Sequence, residues 1–423
     1  MAQRHSHGGS GLSNTQEAGD RQRAGQVQAL AELIVSPTGV NVQPGQIVGI
    51  TAEPGQEDIW RAVAEAAYVR GAKFVDPWIF DVHVKHSRLL HADADTLTYR
   101  PPWLGERYRT MGELHAAQIR LTGPVAPHIL DDIDSTRAGH DVLPRVPESQ
   151  EMIHKDLWNW CVTPGPSAGW ASLVYPDLPE AEALARLWDS VSHVMRLDEP
   201  EPERAWDERF SQLNAVAKRL NNLRFDALHF SGPGTDLTIG LLPSSEWVAA
   251  GSENVDGVKY TSNLPTEEVF TAPDPRRVDG HVRSTKPLQV SGGFVSGLEV
   301  RFEQGVAVNA TATEGEGLLR TLIAKDEGAA RLGEVALVDR ESRIGALDTV
   351  FYETLLDENS ASHIALGAAY PDTVGTDADR ERINISEVHT DFMIGSNDVA
   401  VTGVHADGTQ VPLLRDGNWQ FDL

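Results

Sequence analysis

The second half of the chain carries ionisable side chains at positions where the neighbouring residues are apolar. Three are carboxylates and two are imidazoles: Glu268, Glu334, Asp391, His363 and His389. Carboxylate oxygens and imidazole nitrogens, with no thiolate, are the ligands expected for a pair of Zn, Co or Mn ions about 3.5 to 4 Å apart, the arrangement used for hydrolysis. The five residues therefore favour a two-metal site, provided that the fold brings them together.

The spacing within two stretches predicts that pairs of these side chains share one face. His389 and Asp391 are two residues apart in a β-branched run, so in a strand both project from the same face. Residues 362–370 are expected to form a helix, in which His363 and Tyr370, seven residues apart, return to within about 20° of one direction. His363 and Tyr370 would then flank one cavity.

Two glutamates lie at the beginning of strand-like runs. Glu334 follows Gly333 at the start of an apolar run, where burial of an unpaired anion would cost roughly several kcal/mol, so Glu334 needs a cation. Glu268 lies in the sequence Pro-Thr-Glu-Glu-Val-Phe and raises the same question. In a strand the adjacent Glu267 would point the opposite way, toward solvent.

Taken one at a time, these residues have ordinary explanations, because a single histidine is commonly a hydrogen-bonded core residue and a glutamate that opens a strand is usually solvated.

The number of cysteines limits which metal ligands the chain can offer. Cys161 is the single cysteine, so the chain can form neither an internal disulfide nor a thiolate cage. Any metal must use oxygen and nitrogen ligands, and the expected compartment is reducing.

The order of predicted elements places these residues in a second structural unit. The first half alternates strands and helices, as in parallel α/β sheets, with strands at 46–50, 74–80 and 118–121 and helices at 57–70, 104–117, 180–195 and 203–223. After about residue 225 short alternating runs predict antiparallel strands at 228–231, 236–242, 297–302, 306–311 and 335–338.

A length of 423 residues allows two or three domains. We predict a mobile tail at 1–24, an α/β N-terminal domain at 25–225, and an α+β metal-binding catalytic domain with largely antiparallel strands at 226–423. The tail prediction rests on a segment rich in Gly, Ser, Gln, His and Arg that lacks hydrophobic periodicity.

The overall charge argues against several classes of partner. With 36 Lys plus Arg and 62 Asp plus Glu, the formal net charge is −26. Nucleic acids and anionic membranes are bound mainly through basic side chains, so neither is an expected partner. The sequence also lacks the long apolar run of a membrane span and the apolar stretch of a secretory signal, which predicts a cytoplasmic protein.

The motifs together resemble the thermophilic-type metallo-aminopeptidases, the family of aminopeptidase T and aminopeptidase S. The resemblance runs from about residue 25 to the C-terminus. It rests on residues 39–46 and 158–176 and on the four stretches 263–273, 331–338, 357–370 and 384–396. By this resemblance the metal ligands are Glu268, Glu334, His363, His389 and Asp391, and the catalytic tyrosine is Tyr370.

The resemblance implies an exopeptidase that removes N-terminal amino acids from peptides with a free N-terminus, uses two divalent ions per chain (Zn, Co or Mn), and forms a homodimer. The ions would lower the pKa of a bound water, and Tyr370 could donate to the oxyanion of the tetrahedral intermediate. A carboxylate must accept the water proton. Glu267 is a candidate only if its segment is not a regular strand.

Three other functions remain as alternatives. Some relatives resemble mononuclear non-haem iron dioxygenases that open hydroxylated pyridine rings, but such a site needs only two histidines and one carboxylate. Residues 165–169 match the G-x-S-x-G pattern of serine hydrolases, although a β-like run is expected to follow Ser167 in place of the required helix. A structural metal site is the third alternative, but such sites are usually closed, with four ligands.

Overall fold

The protein is described by a computed structural model that covers residues 10–144, 146–290 and 293–421. Its first half contains a four-stranded parallel sheet in the order β2-β1-β3-β4. The strands are β1 Ile47–Ala52, β2 Phe74–Ile79, β3 Ala117–Thr122 and β4 Trp160–Pro164. The helices of this half are α1 Ser10–Val35, α2 Glu57–Val69, α3 Val82–His91, α4 Pro102–Glu113, α5 Ser135–His140, α6 Pro147–His154, α7 Ala168–Val174, α8 Glu180–Val194 and α9 Pro202–Leu223.

Strand β1 and helix α2 form as the residue pattern predicts. Helix α2 buries Ile59, Val63 and two alanines against the sheet, because these residues recur at helical spacing. Gly71 follows the helix with φ +93°, a left-handed conformation that favours glycine, and the chain then turns into β2.

The predicted tail and the structure differ over residues 10–24. Residues 1–9 lie outside the described part of the chain, but helix α1 begins at Ser10. Its C-terminal half buries Leu30, Ile34 and other apolar residues in the core of the parallel sheet. Near the middle of the helix, Gln22 and Gln26 both donate to a carboxylate oxygen of Asp189 on α8. Gln22 is one of the predicted tail residues, so its contact attaches the last part of that segment to the folded chain.

The second half consists of antiparallel sheets, as its alternating pattern predicts. An eight-stranded sheet has the order β14-β13-β10-β6-β5-β18-β19-β20, and a four-stranded sheet has the order β17-β16-β15-β9. The strands are β5 Ala227–Gly232, β6 Thr235–Leu241, β7 Ser252–Glu253, β8 Lys259–Tyr260, β9 Glu268–Thr271, β10 Pro273–Arg283, β11 Leu288–Val290, β12 Gly293–Val295, β13 Glu299–Glu303, β14 Val306–Thr311, β15 Leu332–Val338, β16 His363–Gly367, β17 His389–Met393, β18 Ala400–Val404, β19 Gln410–Arg415 and β20 Asn418–Trp419.

Short helices connect these strands: α10 Glu316–Ile323, α11 Arg343–Ala346, α12 Thr354–Glu358 and α13 Asp377–Arg380. The α/β region and the antiparallel sheets agree with the expected fold class, whereas a domain boundary near residue 225 stays a prediction. Within the described residues, none of the helices combines the length and the apolar character needed to cross a membrane.

The predicted helix at 362–370 is wrong, because residues 363–367 form β16, one of the two inner strands of the four-stranded sheet. This strand pairs with β15 on one side and β17 on the other, and all five of its residues are buried. An alanine-containing apolar run of this length suits either a helix or a buried strand, and the pairing with two neighbouring strands decides between them. The strand ends at Gly367, which has φ +107°.

Candidate metal centre

The four-stranded sheet separates apolar and ionisable side chains onto its two faces. Val335, Ile364 and Phe392 lie in the apolar core that this sheet shares with the eight-stranded sheet. Side chains alternate along a strand, so their sequence neighbours point the other way. The opposite face therefore carries the five predicted ligands, from all four strands: Glu268 on β9, Glu334 on β15, His363 on β16, and His389 and Asp391 on β17.

Strand register brings these five side chains into two groups that have one member in common. Glu268, Glu334 and His363 offer ligand atoms that all lie within 4.8 Å of one another, and so do Glu334, His389 and Asp391. The two oxygens of Glu334 face different groups. Its Oε1 is 3.7 Å from Nε2 of His363, and its Oε2 is 3.5 Å from Nε2 of His389. A carboxylate in this position can contact two cations at once.

Both imidazoles are held by backbone carbonyls outside the centre. Nδ1 of His363 is 3.1 Å from the carbonyl oxygen of Ala361, and Nδ1 of His389 is 2.7 Å from that of Ala368. A carbonyl oxygen can only accept, so Nδ1 donates in each case. In a neutral imidazole this leaves the Nε2 lone pair free for a metal, as is usual for metal-binding histidines.

The carboxylates of the centre raise the pKa values of the two imidazoles, so a bound cation would replace imidazole protons. Burial alone would lower the pKa of His363, but the negative charge of Glu268 and of the neighbouring carboxylates outweighs burial and raises that pKa well above its usual range. The same balance, with Asp391 as the main charge, raises the pKa of His389 to about 10. Burial raises the pKa of Glu334. Without a cation, protons on the imidazoles therefore offset the carboxylate charge.

A buried oxygen without a hydrogen bond indicates that these residues suit a metal. Oε2 of Glu268 has no hydrogen-bond partner, although Nε2 of His363 lies only 2.9 Å away, because that contact lacks hydrogen-bond geometry. The side chains of His363 and Glu268 are 1% and 8% exposed, so bulk water has little access to hydrogen-bond with them. An unsatisfied carboxylate oxygen beside an imidazole nitrogen is a donor pair that a divalent ion would use.

Tyr370 lies at the edge of this centre, on the loop after β16. Its ring centroid is 5.1 Å from that of His389 and 6.1 Å from that of Phe270. Burial and the carboxylates of the centre, Glu334 first among them, raise the pKa of Tyr370 well above its usual range. The residue as a whole is 43% exposed. The phenol is therefore a neutral donor at an open side of the site.

The expectation that Glu267 points to solvent is wrong. Glu267 precedes β9, is fully buried, and forms ion pairs with Arg196 at 2.8 Å and with Arg209 at 2.6 Å. Arg209 also pairs with Asp339 at 2.9 Å. Two guanidinium groups thus hold the Glu267 carboxylate behind the metal face. It is unsuited to accept a proton from water there, so the candidate base has to be sought elsewhere.

Sequence reasoning missed one carboxyl of this site, Glu358. It is the last residue of α12, which packs on β17, and it is 8% exposed. Burial and the charges of Asp391 and Glu268 raise the pKa of Glu358 well above its usual range. The signal in the sequence is an acidic pair, Asp357 and Glu358, five residues before His363. Only the fold shows that the second member faces the other carboxylates.

Ser167 has a different environment from the one expected. Helix α7 follows it, so the chain context is strand, turn and helix, and the β-like run predicted after Ser167 is wrong. However, Ser167 is 3% exposed, and its Oγ accepts from the backbone N–H of Trp170 at 3.2 Å, which caps the helix. A buried hydroxyl used as a helix cap gives no support to a serine nucleophile.

Fold and site together define a candidate metalloenzyme, and comparison with known proteins narrows the class. Residues 24–419 match the family described as thermophilic metalloprotease (M29). Aminopeptidase T of Thermus aquaticus is 40% identical over 92% of this chain and 97% of its own. Aminopeptidase PepS of Streptococcus thermophilus is 36% identical over 93% of this chain and 97% of its own. The solved structure of wild-type AmpT from Thermus thermophilus covers 94% of this chain and 99% of its own, with a TM-score of 0.86 and 39% identity.

The chain therefore belongs to the thermophilic metalloprotease family M29. It is a metal-dependent aminopeptidase, a hydrolase, in agreement with the resemblance carried by its motifs. These comparisons give no support to the ring-opening dioxygenase considered as an alternative.

Proposed function

We propose that this chain hydrolyses the first peptide bond of peptides with a free N-terminus, using two divalent ions of Zn, Co or Mn. Glu268 and His363 would hold one ion, His389 and Asp391 the other, and Glu334 both. The observation that carries this proposal is the position of Glu334, whose two oxygens face two separate groups of ligands. A single ion would need only one of these groups.

Bound divalent ions supply Lewis acidity, which polarises a carbonyl and lowers the pKa of a water molecule. The protein contributes the geometry around them. Backbone carbonyls fix both imidazoles, and the apolar core behind the sheet holds the carboxylates in place. Ligands that are positioned in advance need little rearrangement during the reaction.

Tyr370 is proposed to donate its phenolic proton in a hydrogen bond to the oxyanion that develops at the scissile carbonyl. Its high pKa keeps the phenol protonated, and its ring lies beside His389 at the exposed side of the centre. A neutral donor at this edge stabilises negative charge where a substrate can reach it.

Two substitutions separate binding of metal from catalysis. Glu334→Gln should lose metal, because an amide is a poor ligand and both groups lose their common member. Tyr370→Phe should retain the metal content of the wild type and lose about 10² to 10³ in kcat. Metal analysis of each purified variant, together with the kinetics of aminoacyl-p-nitroanilide cleavage, gives both results. Full activity in Tyr370→Phe would remove the oxyanion role, and full metal content in Glu334→Gln would remove the shared-ligand role.

A further inference from the structure

Glu358 is a buried carboxyl that the proposed mechanism does not use. It is 8% exposed, and its Oε1 receives one long contact from the side-chain amide of Asn359, at 3.5 Å. Across the residues described, no lysine or arginine is recorded in an ion pair with Glu358. A buried carboxylate with so weak a partner is costly to a protein unless something else satisfies it.

The neighbouring carboxyls on the same segment each have a partner. Asp357 accepts from the backbone N–H of Phe351 at 2.9 Å and lies 3.9 Å from Nζ of Lys286. Glu353 accepts from the backbone N–H of Leu356 at 3.1 Å. Glu358 is the exception among the three acids of this segment.

Helix α12 and the residue that follows it, Asn359, fix the position of Glu358. Helix α12 packs on β17, the strand that carries His389 and Asp391. The adjacent Asn359 is held by its Oδ1, which accepts from the backbone N–H of Glu267 at 2.6 Å, and by its Nδ2, which donates to the carbonyl of Leu355 at 2.9 Å. Glu358 is close enough to Asp391 and Glu268 to interact with their charges, so it lies beside the ligand residues, although it belongs to neither ligand group.

The charge of the centre suggests what would satisfy Glu358. Three ligand carboxylates carry −3 and two divalent ions carry +4, which leaves +1. A substrate with a protonated N-terminal amine adds a further positive charge and would be repelled. One more carboxylate beside the centre removes this repulsion and attracts the amine.

We propose that the carboxylate of Glu358 binds the free α-amino group of the substrate and thereby makes the enzyme selective for peptide N-termini. This inference rests on the proposed function, because it places the N-terminal residue of the substrate at the same centre. The interaction is an ion pair between a carboxylate and an ammonium in a site with little water. Glu358 acts through binding, and the ligand residues and Tyr370 keep their roles.

The test compares two ligands that differ only in the amine and that cannot be hydrolysed. L-leucinol carries the amine, and isohexanol is the same molecule without it. Their dissociation constants are measured by calorimetry on metal-loaded wild type and on Glu358→Gln, after metal analysis shows equal loading. In the wild type L-leucinol should bind about 30-fold or more tightly than isohexanol, as expected for a buried charge pair. In Glu358→Gln this ratio should fall to near one, with isohexanol binding unchanged.

Two further variants define the control. Glu353→Gln makes the same exchange in a carboxyl that is 7% exposed but bonded to the backbone, and it should keep the wild-type ratio. Glu358→Asp retains the charge and should recover part of the ratio. An unchanged ratio in Glu358→Gln would overturn the proposal even if kcat fell, because the amine would then be bound elsewhere.

Failure of this inference can be distinguished from failure of the proposed function. If only the role of Glu358 is wrong, wild type still binds two ions and cleaves aminoacyl-p-nitroanilides. If the proposed function is wrong, metal-loaded wild type itself fails in metal count or in turnover.

Discussion

His363 and His389 determine how the centre responds to pH. Each donates from Nδ1 to a carbonyl, and in the absence of a cation each has a raised pKa because carboxylates surround it. Near neutral pH in the metal-free protein, both imidazoles therefore carry a second proton, on Nε2, and are positively charged. A metal needs Nε2 unprotonated, so binding must release those protons.

We expect the apparent metal affinity of the apo protein to rise with pH. The pKa of His389 is raised to about 10, so the proton on its imidazole competes with the metal throughout the neutral range. Each displaced proton strengthens the apparent affinity about tenfold per pH unit, between about pH 6 and about pH 8. Calorimetric titration with Mn²⁺ in buffers of different ionisation enthalpy measures both the affinity and the protons released. An affinity independent of pH, with no protons released, would contradict this account.

At the scale of elements, the centre depends on buried ion pairs that connect helix α9 to the start of β9. Arg209 on α9 pairs with Glu267 and with Asp339, and its side chain is 5% exposed. Removing one partner from such a network leaves the remaining charges buried and unpaired. The resulting loss of stability is larger than the net stabilisation that the intact pair provides.

Arg209→Ala should lower the free energy of unfolding by about 3 to 5 kcal/mol, because Glu267 loses its closer guanidinium and Asp339 loses the guanidinium that pairs with it. The matched control is Arg204→Ala on the same helix, whose side chain is 70% exposed and pairs with Glu201 and Glu208. That change should cost less than about 1 kcal/mol. Urea unfolding of both metal-free variants measures the difference, and equal losses would refute the role of the buried network.

The elements also show what the sequence could and could not reveal. Strand β17 is predicted by a β-branched run in which His389 and Asp391 alternate with residues of the opposite face, and the structure forms that strand. Residues 362–370 are ambiguous in sequence, because a short alanine-containing apolar run suits helix and strand alike. The strand partners that decide between them lie 22 to 34 residues away along the chain. The burial of Glu267 depends on Arg196 and Arg209, which are remote in sequence, so no local pattern could reveal it.

At the scale of the whole molecule, the metal face of the four-stranded sheet meets elements that connect to the parallel sheet. Helix α12 contacts both β17 and β4, and the indole N–H of Trp170 donates to the carbonyl of Phe351 at 2.6 Å. The backbone of Leu264, just before the first ligand, donates to Val162 on β4 at 2.9 Å. Both halves of the chain therefore support the site.

The acidic residues of the chain fall into two groups, the proposed metal ligands and the remainder. Of the 62 acidic residues, three belong to the proposed ligand set, where two divalent ions would offset their charge. The remaining excess leaves the protein strongly anionic, which is the reason why nucleic acid is not an expected partner. The homodimer and the cytoplasmic location stay predictions.

The most direct test of the two-metal account is a titration of the metal-free enzyme with Zn²⁺, Co²⁺ or Mn²⁺. Bound metal per chain and cleavage of an aminoacyl-p-nitroanilide are followed in the same samples. The account predicts that activity reaches its plateau when two ions are bound per chain. Full activity with one ion per chain, or restored folding without turnover of any aminoacyl substrate, would contradict it.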